Sequence, residues 1–201
     1  HTSGEIEIDE LKSGNISIES TSGDLNAGYI SARKNVSLKK FSGDFDIQTI
    51  TANELVISST SGETEVDTIN AKEVRFQSTS GNIEVDNMDS EDFDLYLTSG
   101  NVEIDNINTE SFKTKSTSGS INLRFASVPT ETSRISSTSG SINLSFLSTE
   151  GFTLEYKTSS GSFDDKIEDS HYSTHGTITK KYFGGGTDIL VSTTSGSFCI
   201  E

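Results

Sequence analysis

A Ser-Gly pair returns at nearly constant intervals along this chain, and it constrains the fold more than any other feature. The glycines fall at positions 4, 23, 43, 62, 81, 100, 119, 140, 161 and 196, so successive gaps are 19, 20, 19, 19, 19, 19, 21, 21 and 35 residues. Eight of the ten pairs are preceded by threonine. A repeat this regular predicts units that must stack to bury a shared hydrophobic face.

Each unit contains two short stretches in which apolar and polar residues alternate, which is the pattern of half-buried β-strands. In the first stretch the apolar residues stand two, four and seven positions after the glycine, as Val102, Ile104 and Ile107 do after Gly100. The last two units place Ala126 and Leu147 at the seventh position. The second stretch precedes the next glycine, as Phe93 and Leu95 show.

These units predict an all-β, single-domain parallel β-solenoid of about ten rungs, a rung being one repeat of the stack. At about 4.8 Å per rung the rod would be roughly 50 Å long. We expect right-handed coiling from the crossover rule, and a flatter two-layer sandwich of parallel sheets fits the same repeat. Residues 1–161 would form the regular repeats and residues 162–201 an irregular C-terminal segment with the closing rungs, where Gly176 could open another unit.

The Thr-Ser-Gly triplet is interpreted as a structural corner, because glycine tolerates positive φ and the hydroxyls satisfy nearby backbone groups. An array of hydroxyls that binds sugar or ice is the alternative. Gly14 lies at the middle corner of a regular unit and does not start another. The predicted corner glycines are Gly23, Gly43, Gly62, Gly81, Gly100, Gly119, Gly140, Gly161 and Gly196.

Carboxylates recur between the core residues of the first stretch and should therefore face solvent. A solvated acidic face is the main interpretation. A Ca²⁺ ladder through oxygen ligands is the alternative, and no other cofactor is expected. The weak candidates for metal ligands are Glu84, Asp86, Glu103 and Asp105. Nothing singles out one catalytic pair among these carboxylates. In residues 164–175, "DDKIEDSHYSTH", a polar capping loop is the main interpretation and a metal site the alternative.

Charge and composition narrow the classes of partner. The net charge of −16 disfavours nucleic acid and anionic lipid surfaces. The one cysteine, Cys199, excludes an internal disulfide, and no apolar run is long enough to span a membrane. Because the sequence starts at His1 within a repeat, we expect a fragment from which a signal or anchor segment is absent.

The repeated "TSGxIxV" units and the ending "GGGTDILVSTTSGSFCIE" (184–201) resemble a bacterial adhesin-like family of unknown function nicknamed the toastrack domain. Phe198 and Cys199 depart from the usual "SI-x-I" ending. The resemblance implies a β-solenoid displayed outside the cytoplasmic membrane and brings no catalytic residues.

From these observations we expect a non-enzymatic domain of the bacterial cell surface or envelope. It would act as an adhesin whose lateral faces bind an extracellular glycan or an envelope protein. An envelope-stress module that binds a membrane partner or a peptide is the first alternative. A carbohydrate-active β-helix enzyme is a remote one, because the turns here are short and even.

Overall fold

The computed structural model describes residues 4–201 as one mixed β-sheet of eleven strands, with no helix in that range. It therefore contains, in that range, no helix long and apolar enough to cross a membrane. The strands are β1 Ile6–Ser13, β2 Ile16–Ser20, β3 Leu25–Ala32, β4 Asn35–Lys40, β5 Phe45–Ser99, β6 Asn101–Ser116, β7 Ser120–Phe125, β8 Ser133–Phe146, β9 Phe152–Asp165, β10 Ser170–Tyr182 and β11 Thr187–Ile200.

Successive repeats pair in parallel, so equivalent residues of neighbouring units lie side by side. Ile104, for example, pairs with Val85 of the preceding unit and with Leu123 of the following one. All three side chains are buried, whereas Glu103 beside them is exposed. The alternation in the sequence therefore separates one continuous hydrophobic core from the solvent-facing columns, as the period of two in a strand requires.

The corner glycines stack closely along the same axis. A Cβ on Gly119 would lie 1.9 Å from the carbonyl oxygen of Gly100, and a Cβ on Gly100 would lie 2.2 Å from that of Gly81. The φ angles of Gly100 and Gly119 are 117° and 119°, in the region that favours glycine. Gly81, by contrast, keeps the close approach without a positive φ. These corners thus exclude side chains for two separate reasons.

The seventh-position column changes near the C-terminus. Ile107 pairs with Phe125 rather than Ala126, because the register shifts by one residue between β6 and β7. Phe125 is fully buried, and Leu147 is 64% exposed. The expectation that Ala126 and Leu147 continue the buried column is therefore wrong. Aromatic rings fill this part of the core instead, with Phe125 stacked between Phe112 and Phe146 at centroid distances of 4.8 and 5.2 Å.

The order of strands at the C-terminal end also differs from the expectation. Strand β11 lies between β8 and β9, and Phe198 pairs with both Ile142 and Phe163. Strand β10, which contains Gly176, runs antiparallel to β9 at the edge of the sheet and starts no new unit. It returns the chain so that β11 can pair in parallel on both edges. Residues 152–200 are therefore mostly strand, not an irregular segment, whereas the division of the domain at residue 161 stays a prediction.

Replacing Ile104 with aspartate should lower the free energy of unfolding by more than about 4 kcal/mol, because it buries an unpaired charge between Val85 and Leu123. Glu103→Lys is the matched control. It changes an exposed neighbour and should alter stability by less than about 0.5 kcal/mol. Urea unfolding followed by circular dichroism measures both. Equal losses in the two variants would contradict the assignment of the inward and outward faces.

Gly119→Ala should destabilise the domain by at least about 1–3 kcal/mol, the strain of a positive φ alone, because the methyl group also meets the carbonyl oxygen of Gly100. Gly14→Ala is the control, since a Cβ there meets no atom within 4 Å. Thermal melts of the two variants measure the difference. A similar melting temperature for both would show that the corner does not require glycine.

Candidate functional site

The outward side chains of the first alternating stretch in each repeat form an acidic face. Glu84 and Glu103 are adjacent partners in it, and both are exposed. The pKa of Glu65 is raised, mainly by the charge of Asp46, then by desolvation and by Glu84. Like charges therefore repel along this face, as close carboxylates on neighbouring strands must. The face comprises Glu7, Asp9, Asp46, Glu65, Asp67, Glu84, Asp86, Glu103 and Asp105.

The predicted metal ligands lie on this acidic face. Asp105 is paired with Arg124 at 3.7 Å between Nη1 and Oδ1. Over residues 4–201 no group of three or more His, Cys, Asp or Glu side chains is arranged to hold a metal ion. The Ca²⁺ hypothesis for Glu84, Asp86, Glu103 and Asp105 stays a prediction, with no support from the geometry.

The outward side chains of the second alternating stretch in each repeat carry a different set of charges. We call the surface that they form the basic face. Lys115 lies beside Tyr96 in register, and Lys39 lies beside Ser58. Neither lysine has an ion-pair partner in the described part of the chain, whereas Arg75 pairs with Asp94 at 3.3 Å. Glu19, Asp94 and Glu155 also lie in these columns, with Glu19 beside Lys39 in register, so cations outnumber carboxylates on this surface without excluding them. The exposed cations of the basic face are Lys39, Arg75, Lys113, Lys115, Arg134 and Lys157.

The Thr-Ser-Gly corner beside the basic face uses its two hydroxyls differently. Seven corner serines donate to the main-chain oxygen of the residue before the serine in the neighbouring rung, for example from Ser80 Oγ to Thr60 O at 3.3 Å and from Ser99 Oγ to Thr79 O at 3.2 Å. Serine is therefore structural here. The hydroxyls of Thr60, Thr79, Thr98 and Thr117 bond to no other described residue, and three of them are exposed.

A long open groove of about 590 Å³ runs between this threonine column and the basic face. It crosses several rungs, since neighbouring rungs contribute the equivalent residues Ser58, Gln77, Tyr96 and Lys115. The hydroxyl of Ser78, also in the lining, is buried and has no hydrogen-bond partner. Lined by cations, hydroxyls, an amide and one aromatic ring, the groove suits a long polar ligand. Its lining includes Lys39, Gln77, Ser78, Thr79, Tyr96, Thr98 and Lys115.

Sequence reasoning missed this groove. Its residues occupy a column in which the side chain differs from rung to rung, whereas the sequence predictions rest on the positions that repeat. Two features of the sequence could have indicated the groove. One is the variation of side chains along this column, and the other is Phe41, which replaces threonine in the corner column and is 62% exposed. An exposed aromatic residue at a position that is threonine in eight of the ten repeats marks a departure from the scaffold.

Lys40 also lines the groove but points inward, at a position where most repeats place serine. It is 2% exposed, its Nζ donates to the main-chain oxygen of Glu63, and it lies 4.6 Å from the ring centroid of Phe45. Burial lowers the pKa of Lys40 to about 8, although nearby carboxylates, Asp44 first, oppose the shift. Because the folded state holds this proton less tightly, stability should rise as the pH increases from about 8 to 10.5.

The acidic and histidine-containing segment forms the hairpin of β9 and β10. Asp165 is fully buried, occupies the position of a core residue, and accepts hydrogen bonds from Lys180 Nζ and from Tyr182 Oη, the latter at 2.8 Å. Burial alone raises the pKa of Asp165, but these hydrogen bonds outweigh it and hold the pKa below its ordinary value. His171 Nδ1 lies 3.8 Å from Asp164 Oδ1. The geometry fits a cap on the core, and sequence reasoning missed Lys180 and Tyr182 as its partners.

Lys40→Met should raise the free energy of unfolding at pH 7 by about 1–3 kcal/mol, because it removes a desolvated ammonium group. The advantage should shrink toward pH 10, where lysine loses its proton in both proteins. Lys39→Met, at the exposed neighbouring position, is the control and should change stability little at either pH. Urea unfolding at the two pH values measures this. The same advantage at pH 7 and pH 10 would contradict the lowered pKa.

Comparison with known proteins assigns the family. The family model described as Toastrack DUF4097 matches residues 1–49 and 31–201, which together span the chain. No curated protein and no solved structure gives a significant match. The repeat, the corner glycines and the all-β sheet accord with the family match, and the chain belongs to the Toastrack DUF4097 family.

Proposed function

We propose that this protein is a non-enzymatic binding domain of the bacterial cell surface or envelope. It would act outside the cytoplasm as an adhesin and hold an extended glycan or an envelope protein on a lateral face. The proposal includes a right-handed rod of about ten rungs. The net charge of −16 argues against nucleic acid as the partner.

The groove beside the threonine column is the observation that carries this proposal. It extends along the stacking axis, is open to solvent, and presents cations and unpaired hydroxyls on a rigid sheet. Functional groups held on strands lose little conformational freedom when a ligand binds, which favours a binding role. A groove that is open and crosses several rungs suits a polymer better than a compact metabolite.

The carboxylates do not support a hydrolase. The groove lining includes no Asp or Glu, and the aligned carboxylates of the acidic face belong to the other alternating stretch of each repeat. Glycoside hydrolysis needs two carboxyl groups on opposite sides of the scissile bond. We therefore propose binding without cleavage.

The proposal predicts that the domain binds at least one polymer in a panel of bacterial envelope glycans, host glycans and purified sacculi. Thr79→Trp should weaken that binding at least tenfold, because the indole fills the groove where the exposed Thr79 side chain lies. Thr177→Trp, at an exposed site on β10, is the matched control and should bind normally. Biolayer interferometry measures affinity, and circular dichroism checks the fold.

Four outcomes would overturn the proposal. A folded protein that binds nothing in the panel would exclude the polymer-binding function. Equal loss in Thr79→Trp and Thr177→Trp would remove the groove as the site. New reducing ends in the incubated glycans would show cleavage and favour the enzyme alternative, and binding to peptides alone would favour the envelope-stress alternative.

A further inference from the structure

We infer that the groove takes a linear anionic polysaccharide, with Tyr96 stacking on a sugar ring and Lys39 and Lys115 contacting carboxylates of the chain. The inference rests on the proposed polymer-binding function and specifies the class of polymer. It follows from the spacing, the charge and the backbone pairing of the groove.

The spacing of the groove matches an extended sugar chain. Lys39, Ser58, Gln77, Tyr96 and Lys115 are equivalent residues of five successive rungs. Neighbouring rungs are about 4.8 Å apart, which is close to the length of one hexopyranose unit in an extended chain. Lys39 and Lys115 are therefore roughly 19 Å apart, and Tyr96 lies one rung from Lys115. One sugar unit can thus face each rung.

The charges favour an anionic chain on this side of the molecule. Lys39 and Lys115 are exposed and form no ion pair among residues 4–201, and the groove lining contains no carboxylate, although Glu19 lies beside Lys39 in register and the whole protein carries a net charge of −16. The acidic face would repel the same polymer. A polyanion would therefore be steered to the groove and away from the opposite surface.

The remaining groups fit sugar rather than peptide. Tyr96 provides a half-buried ring with an apolar body and a polar tip, and Thr79 and Thr98 supply exposed hydroxyls that can bond to those of a sugar. Phe41 adds an exposed ring about three rungs from Tyr96, roughly 14 Å away. An extended peptide would gain affinity by pairing with a free strand edge. The lateral face offers none, because its backbone groups pair along the stacking axis.

The test uses a defined oligogalacturonate of about ten units and its fully methyl-esterified form, which has the same chain without the charges. Isothermal titration calorimetry should show that the wild-type protein binds the acid at least tenfold more tightly than the ester. The double variant Lys39→Gln/Lys115→Gln should lose this preference. Tyr96→Ala should weaken binding of both forms about tenfold. Lys157→Gln changes the equivalent column outside the groove and should have no effect.

The outcomes separate this inference from the proposed function. Equal binding of acid and ester overturns the anionic specificity and leaves polymer binding intact. If the double variant still prefers the acid to the ester, or if Lys157→Gln also loses that preference, Lys39 and Lys115 do not determine the selectivity for charge. If polyglycerol phosphate binds as tightly as the oligogalacturonate, and its affinity is unchanged in Tyr96→Ala, the assignment to a sugar chain is overturned.

If neither oligosaccharide binds while another polymer in the panel does, only the substrate class fails. If nothing binds, both conclusions fail. All variants change outward side chains, so their melting temperatures should match the wild type.

Discussion

The close approach of successive corners is the constraint on which the rest of the structure depends. The carbonyl oxygen of Gly100 occupies the space that a side chain at position 119 would need, and the same contact recurs from corner to corner. Parallel pairing of the adjoining strands can continue only while every corner stays that narrow. The serine beside each glycine strengthens the contact by donating to the neighbouring rung, as Ser99 does to Thr79. Consecutive repeats are therefore locked in register from both sides of the corner.

Because the corner contacts hold the repeats in register, the side chains of the outward columns are free to differ from one repeat to the next. Inward positions such as Ile104 are fixed by the core, and the corner positions are fixed by the backbone. The acidic face and the basic face are the consequence, because outward side chains can change without disturbing the stack. The groove uses that freedom: Lys39, Tyr96 and Lys115 differ chemically although they occupy equivalent sites. The chemically diverse side chains are therefore concentrated in the outward columns, which neither the core nor the corner backbone constrains.

The C-terminal end solves a different physical problem, which is how to finish a stack of strands. An unpaired strand edge invites association with another chain. Here β10 folds back antiparallel on β9, and β11 fills the space between β8 and β9. Asp165 occupies a core position at this end and is compensated by Lys180 and Tyr182 from β10. The polar cluster thus ties the capping strand to the end of the core.

The sequence by itself determined the repeat length, the two alternating stretches of each unit and the inward side chains, because each depends on spacing between near neighbours. Its expectation of two separate strands in every unit was wrong, since β5 runs without a break from Phe45 to Ser99. Its prediction failed at Phe125, where a one-residue register shift is set by the fit of aromatic rings, and at β11, whose partners lie on both sides of it in space. Sequence reasoning missed the groove for the same reason. Lys39 and Lys115 belong to units four repeats apart, and the parallel pairing of successive repeats brings them to one surface. Long-range pairing decided what local periodicity could not.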